Sequence, residues 1–181
     1  CPVWGKLYRC SLIQKSGARF VDLAEIGSYE DGFFNLEVFG KADRVVYLAA
    51  YLYHYRRDGS SSVTSGYNPR LYDQWQTLYD RMEAIIRSNQ LGSEYEAALN
   101  NRIALGILGL GLNITVSTQS MGKKVKDIHR IIRQERYRKA YKNLPLHYFP
   151  IHWKLFYGCA RHGFAFGVYV PLTVIQRIIS R

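Results

Sequence analysis

Leu71, Trp75, Leu78, Met82 and Ile85 follow one another at intervals of four, three, four and three residues. Only an α-helix carries such a series on one face. Asn68-Pro69, just ahead of it, supplies a cap and then a proline at the first helical position. The spacing predicts a helix over 69–89, stopped by Gly92. Ser93 with Glu96 is a capping-box pattern that opens a second helix, expected to run to about Thr118. Val125, Ile128, Ile131 and Ile132 predict a third over 123–142, ended by Pro145 and Pro150. The remainder, 151–181, mixes aromatic and aliphatic residues with His and Arg and is broken by glycines and by Pro171.

The first 66 residues have a different pattern. Trp4, Leu7, Tyr8, Leu12 and Ile13 have roughly helical spacing, with Gly17 as the stop. Phe33, Phe34, Leu36, Val38 and Phe39 predict a helix over 31–42. Between 44 and 57 the sequence RVVYLAAYLYHYRR is rich in β-branched and aromatic residues and predicts two short strands or one bent one. DGSSSVTSGYN then reads as a Gly/Ser-rich loop. The expected architecture is a mixed α/β piece over 1–66, followed by a helical region over 67–181.

Charge divides the chain at the same place. Residues 1–66 hold eight Lys/Arg against seven Asp/Glu, whereas 67–181 hold seventeen against seven. The net +11 therefore belongs almost wholly to the second region, where an anionic partner is expected to bind. Residues 123–142 alone hold nine Lys/Arg against two Asp/Glu. Such a helix suits a solvated face, an anionic membrane surface or nucleic acid, and no recognised nucleic-acid-binding module accompanies it. The three cysteines, Cys1, Cys10 and Cys159, form no paired framework, which points to reduced thiols in a cytoplasmic setting. The most apolar run, 103–116, is too short for a membrane span and carries three glycines, so it reads as a buried helix with close neighbours. The opening CPVWGKLYRC reads as the interior of a structured element, which predicts that the chain is part of a longer protein.

Glu30 and Asp31 stand where a small, polar stretch, Gly27-Ser28-Tyr29, turns into an apolar helix. A carboxylate there can cap the helix. It can equally serve as a base, oriented by the free N–H groups of the first turn.

In order and spacing, VWGKLYRCSLI, ARF, YEDGFFNLEVF and VVYLAAYLYHYRRDGSSS resemble the later half of the catalytic domain of family 2 glycosyltransferases of the GT-A fold, in particular bacterial enzymes of cell-surface polysaccharide synthesis. The resemblance covers residues 2–65. It implies inverting transfer of a sugar from a nucleotide-diphosphate donor to a polysaccharide or lipid-linked acceptor, at the cytoplasmic face of the inner membrane. It further implies that Asp31 is the general base and that Glu30 positions the acceptor or the loop, that Trp4 and Lys6 line the acceptor side, and that Arg56, Ser60 and Ser61 close over the diphosphate. His54 is a possible metal ligand by the same resemblance. The divalent metal (Mn or Mg) expected for the whole enzyme would be held by an Asp-x-Asp motif, and none occurs in these 181 residues. The GILGLG stretch, 106–111, lies within a helical pattern with no strand ahead of it and is not read as a phosphate loop. An alternative reading makes the chain a non-catalytic basic module for an anionic membrane surface or nucleic acid.

Overall fold

The computed structural model describes residues 2–54 and 66–179. Among them the α-helices are α1 (Cys10–Ser16), α2 (Leu23–Ile26), α3 (Glu30–Phe39), α4 (Leu71–Ser88), α5 (Ser93–Thr115), α6 (Met121–Ile132), α7 (Glu135–Asn143), α8 (Ile151–His162) and α9 (Ala165–Ile179). Helix α2 falls in a stretch expected as a connection, and α1 starts only at Cys10, leaving Trp4, Leu7 and Tyr8 outside it. One 3-10 turn, Leu146–Tyr148, joins α7 to α8.

The expected α/β character is not observed. No strand occurs among the described residues, and all the regular structure there is helical, so a partial GT-A sheet is ruled out for them. Residues 44–54 run as irregular backbone, and Val45, Val46, Tyr47, Leu48, Tyr51, Leu52 and Tyr53 are each at least half exposed. The physical reason is that β-propensity expresses packing on a pleated, half-buried surface. Without a neighbouring strand to complete a ladder, such a stretch has nothing to pair with.

Contacts divide the chain into two units, one of Cys1–Ser65 with Arg70–Glu96, the other of Gly66–Pro69 with Ala97–Arg181. In the first, α4 packs on α2 and α3. Its stripe buries Trp75, Leu78, Tyr79, Met82 and Ile86, each worth about 1.5–3 kcal/mol in removed apolar surface. Gly17 ends α1 as expected: at φ 68° its N–H reaches the Ile13 and Gln14 carbonyls.

In the second unit, α6 and α8 pack on α9. The basic stretch expected as one helix is two, with the extended Gln134 (ψ 143°) between α6 and α7. Ile128, Ile131 and Ile132 of α6 are buried while Lys123, Lys126 and Arg130 face solvent. By length and composition α5 could cross a membrane, yet Ile103, Ala104, Ile107, Leu110 and Ile114 are buried in the unit. Gly111 lies so close to Leu172 of α9 that a Cβ there would overlap it. Helix α9 continues through Pro171. Around α8, Tyr157 is enclosed by Trp153, Phe156 and Phe149, with ring centroids 5.9, 5.0 and 5.3 Å away.

Candidate functional site

The Glu30-Asp31 pair sits at the start of α3. Tyr29, in the left-handed region (φ 77°), turns the chain into the helix, so Glu30 and Asp31 are its first and second residues. Both carboxylates therefore lie at the end where backbone N–H groups lack intrahelical partners. Tyr29 folds its ring over Gly32, where a Cβ would collide with it. That is why a glycine is accommodated in the first turn.

Asp31 does not cap its own helix. Its Oδ2 instead accepts the Val3 N–H at 3.1 Å, which ties the N-terminal segment across the helix start. Among the described residues no hydrogen bond engages Oδ1, and Asp31 keeps partial exposure. Beneath it, buried Asn35 donates to the Asp31 carbonyl at 2.7 Å and accepts the Tyr8 hydroxyl at 2.7 Å. Burial first, then the nearby Asp31 charge, push the Tyr8 phenol above its ordinary value, with the Asn35 bond pulling the other way. Tyr8 thus stays a neutral donor beside the carboxylate.

On the other side, α4 holds the turn that leads into α3. Trp75 Nε1 donates to Ser28 Oγ at 3.0 Å and Gln74 Nε2 to the Ala24 carbonyl at 2.9 Å, while Arg81 pairs with Glu25. Gly27 is confined twice over, by φ 74° and by Gln74 Oε1, which would stand 2.7 Å from a Cβ. Among the described residues the carboxylate itself accepts one hydrogen bond, from the Val3 N–H, while Asn35 and α4 hold the backbone and the turn that carry it.

The remaining predicted residues are distributed as follows. Trp4, next to Val3, stacks on Tyr53 with centroids 4.9 Å apart and planes 19° apart, and both rings are exposed. An exposed aromatic face of this kind suits the apolar side of a sugar ring. Lys6 turns back to donate to the Pro2 carbonyl. His54 is exposed, next to Tyr53. Arg56, Ser60 and Ser61 lie outside the described residues.

An open groove of about 510 Å³ in the same unit is lined by Arg19, Phe20, Glu25, Glu37 and Arg81, among others, and by none of the predicted residues. Burial pushes Glu37 above the usual carboxylate range, opposed by the Arg19 N–H and by Arg81. Among the described residues no three His, Cys, Asp or Glu side chains gather to hold a metal ion. The residues described thus supply no ligand set for the divalent cation that the resemblance implies for the whole enzyme.

Sequence reasoning missed Tyr8, Asn35 and Tyr53. Tyr8 and Asn35 pair across 27 positions and Tyr53 and Trp4 across 49, beyond any local spacing. One local signal was available, an asparagine inside the otherwise apolar face of the helix over 31–42. A buried amide at such a place must have hydrogen-bond partners.

Two curated proteins of Bacillus subtilis (strain 168) are similar to the chain. "Putative glycosyltransferase EpsH" is 33% identical over 102 residues, 56% of this chain and 29% of that protein. "Uncharacterized glycosyltransferase EpsJ" is 30% identical over 144 residues, 79% of this chain and 41% of that protein. The matched stretches thus span well under half the length of these relatives. No protein-family profile matches the chain, and no solved structure matches it. Both relatives are named as glycosyltransferases.

Proposed function

We propose that this chain carries the general base and acceptor side of an inverting, family 2 type glycosyltransferase that takes its sugar from a nucleotide diphosphate. The observation that carries this reading is the Asp31 carboxylate, with Oδ2 anchored by the Val3 N–H and Oδ1 unbonded among the described residues. The glycosyltransferase names of both relatives support it.

In the proposed reaction the acceptor hydroxyl approaches Oδ1 and gives up its proton as its oxygen attacks the anomeric carbon from the face opposite the diphosphate. The new carbon–oxygen bond forms while the bond to the phosphate oxygen breaks, and the electron pair leaves with the nucleoside diphosphate. Asp31 then passes its proton to solvent. Its fixed position is what makes it useful, because a base must lie within hydrogen-bond reach of the proton it takes. Glu30 adds negative charge at the same helix start, and the Trp4–Tyr53 pair offers the acceptor sugar a stacking face. The acceptor is a cell-envelope polysaccharide or a lipid-linked saccharide, and the enzyme works at the cytoplasmic side of the membrane.

The test is release of nucleoside diphosphate from a panel of nucleotide sugars by the full-length protein, with and without Asp31→Asn. The expected loss in the variant is roughly 10²–10⁴-fold, the usual contribution of a general base. Turnover unchanged by the substitution would overturn the assignment.

A further inference from the structure

Helix α9 is apolar on two opposite faces. Ala165, Val168 and Leu172 point into the second unit and are buried. Phe166, Val170, Val174 and Ile178, four residues apart in each step, form a stripe on the other side and are 48%, 42%, 51% and 69% exposed. Spacing by four keeps such residues on one face of the helix. The neighbouring corner adds exposed Phe164, and α8 adds exposed Ile151 and Leu155, again four apart. A helix apolar all round calls for an apolar environment on its outer side too.

The charge of this region selects the kind of environment. From Arg136 to Arg181 there is no Asp or Glu, against eight Lys/Arg. The Arg133 side chain lies against Gly163, next to Phe164, so a cation borders the apolar corner. Exposed Arg161 and Arg177 stand at the ends of α8 and α9. An aliphatic stripe does not suit nucleic acid, whose contacts are ionic, polar and stacking. A protein partner is expected to bring a rim of both charge signs. A bilayer with anionic headgroups is apolar and negative at the same boundary.

We propose that the exposed face of α8 and α9 is a membrane-docking surface for anionic lipid. Its fifteen residues extend only about 22 Å at helical rise, short of the roughly 30 Å hydrocarbon core, so α9 lies on the bilayer and does not span it. The inference stands apart from the assignment of Asp31, which belongs to the other unit.

The test is sedimentation of the full chain with phosphatidylcholine vesicles, alone or containing about 30 mol% phosphatidylglycerol. Binding to the anionic vesicles should be at least about tenfold tighter and should weaken steeply at about 0.5 M salt. Val174→Glu with Ile178→Glu, both at exposed positions, should reduce it by at least about tenfold while the circular dichroism stays that of the parent. Should that pair unfold the chain, Phe166→Ser with Val170→Ser gives the same reading and is expected to lower binding in the same direction. Equal binding by folded variants and parent would overturn the proposal, as would equal binding to neutral and anionic vesicles. A concentration-dependent dimer, lost in the variants and with no vesicle binding, would also overturn it and assign the face to a second copy.

Discussion

The two units position their parts by different means. Around Asp31, polar side chains reach backbone and side-chain groups of distant segments: Trp75 to Ser28, Gln74 to Ala24, Asn35 to Asp31 and Tyr8 to Asn35. The second unit has such bonds too, Asn113 to Asn68 and Asn100 to Ala140, but its helices α6, α8 and α9 meet on apolar faces, with Ile128, Ile132, Val168 and Leu172 almost wholly buried. Hydrogen bonds are directional and fix a group to within a fraction of an ångström. Apolar burial is non-directional and proportional to area. A unit that must hold one carboxylate still needs the first kind of contact. A unit whose outer surface is to meet another apolar phase can rely on the second and carry apolar surface to spare.

The largest expected effect breaks the second kind of contact. Leu172→Ala should cost about 2–5 kcal/mol in guanidinium unfolding, because the site is fully buried and closely packed against Gly111. Val174→Ala, two residues along the same helix but exposed, should stay within about 0.5 kcal/mol in the absence of lipid. Equal costs would mean that α9 does not have distinct inner and outer faces.

The next effect is one of pH. Burial raises the Tyr157 phenol from its ordinary value of 10 to about 12, so the fold favours the neutral form. Its contribution to stability is complete below about pH 10 and is lost as pH rises through about 12, roughly 2–3 kcal/mol in all. Tyr157→Phe should flatten that alkaline decline in a pH series of unfolding measurements. An unchanged alkaline limb would contradict the burial of this ring.

A smaller effect lies in the first unit. Gly27→Ala should destabilise it by about 1–2 kcal/mol, because φ 74° is unfavourable for any residue with a Cβ. Thermal unfolding would show this as a fall of a few degrees, and no change would mean that the turn ahead of α3 readily relaxes.

Helices were legible in outline where an apolar stripe met a stop signal, although the Trp4, Leu7 and Tyr8 part of the first stripe is not helical. Leu71 through Ile85 announced α4, and Gly17 its place at the end of α1. The break between α6 and α7 was not, because Arg133-Gln134 holds neither glycine nor proline and a basic run has no local reason to bend. Pro171 misled in the opposite sense, since packing on α6 and α8 carries the helix through it. The strand reading of 44–57 rested on residue type alone, whereas a strand exists only with a partner beside it. At the site, the Glu30-Asp31 pair was legible as an acid pair at a helix start. Its anchoring to Val3 was not, because that bond spans 28 positions and leaves no periodic trace.

Asparagine at position 31 keeps an oxygen able to accept the Val3 N–H but cannot take up a proton, whereas alanine loses both functions. Sugar transfer and thermal stability measured together on Asp31→Asn and Asp31→Ala therefore separate holding the segment from doing chemistry. The account predicts that both variants lose transfer by roughly 10²–10⁴-fold while only Asp31→Ala loses stability, by about 1 kcal/mol. Transfer retained in Asp31→Asn and lost only where stability falls would show that the carboxylate is a tether and not the base.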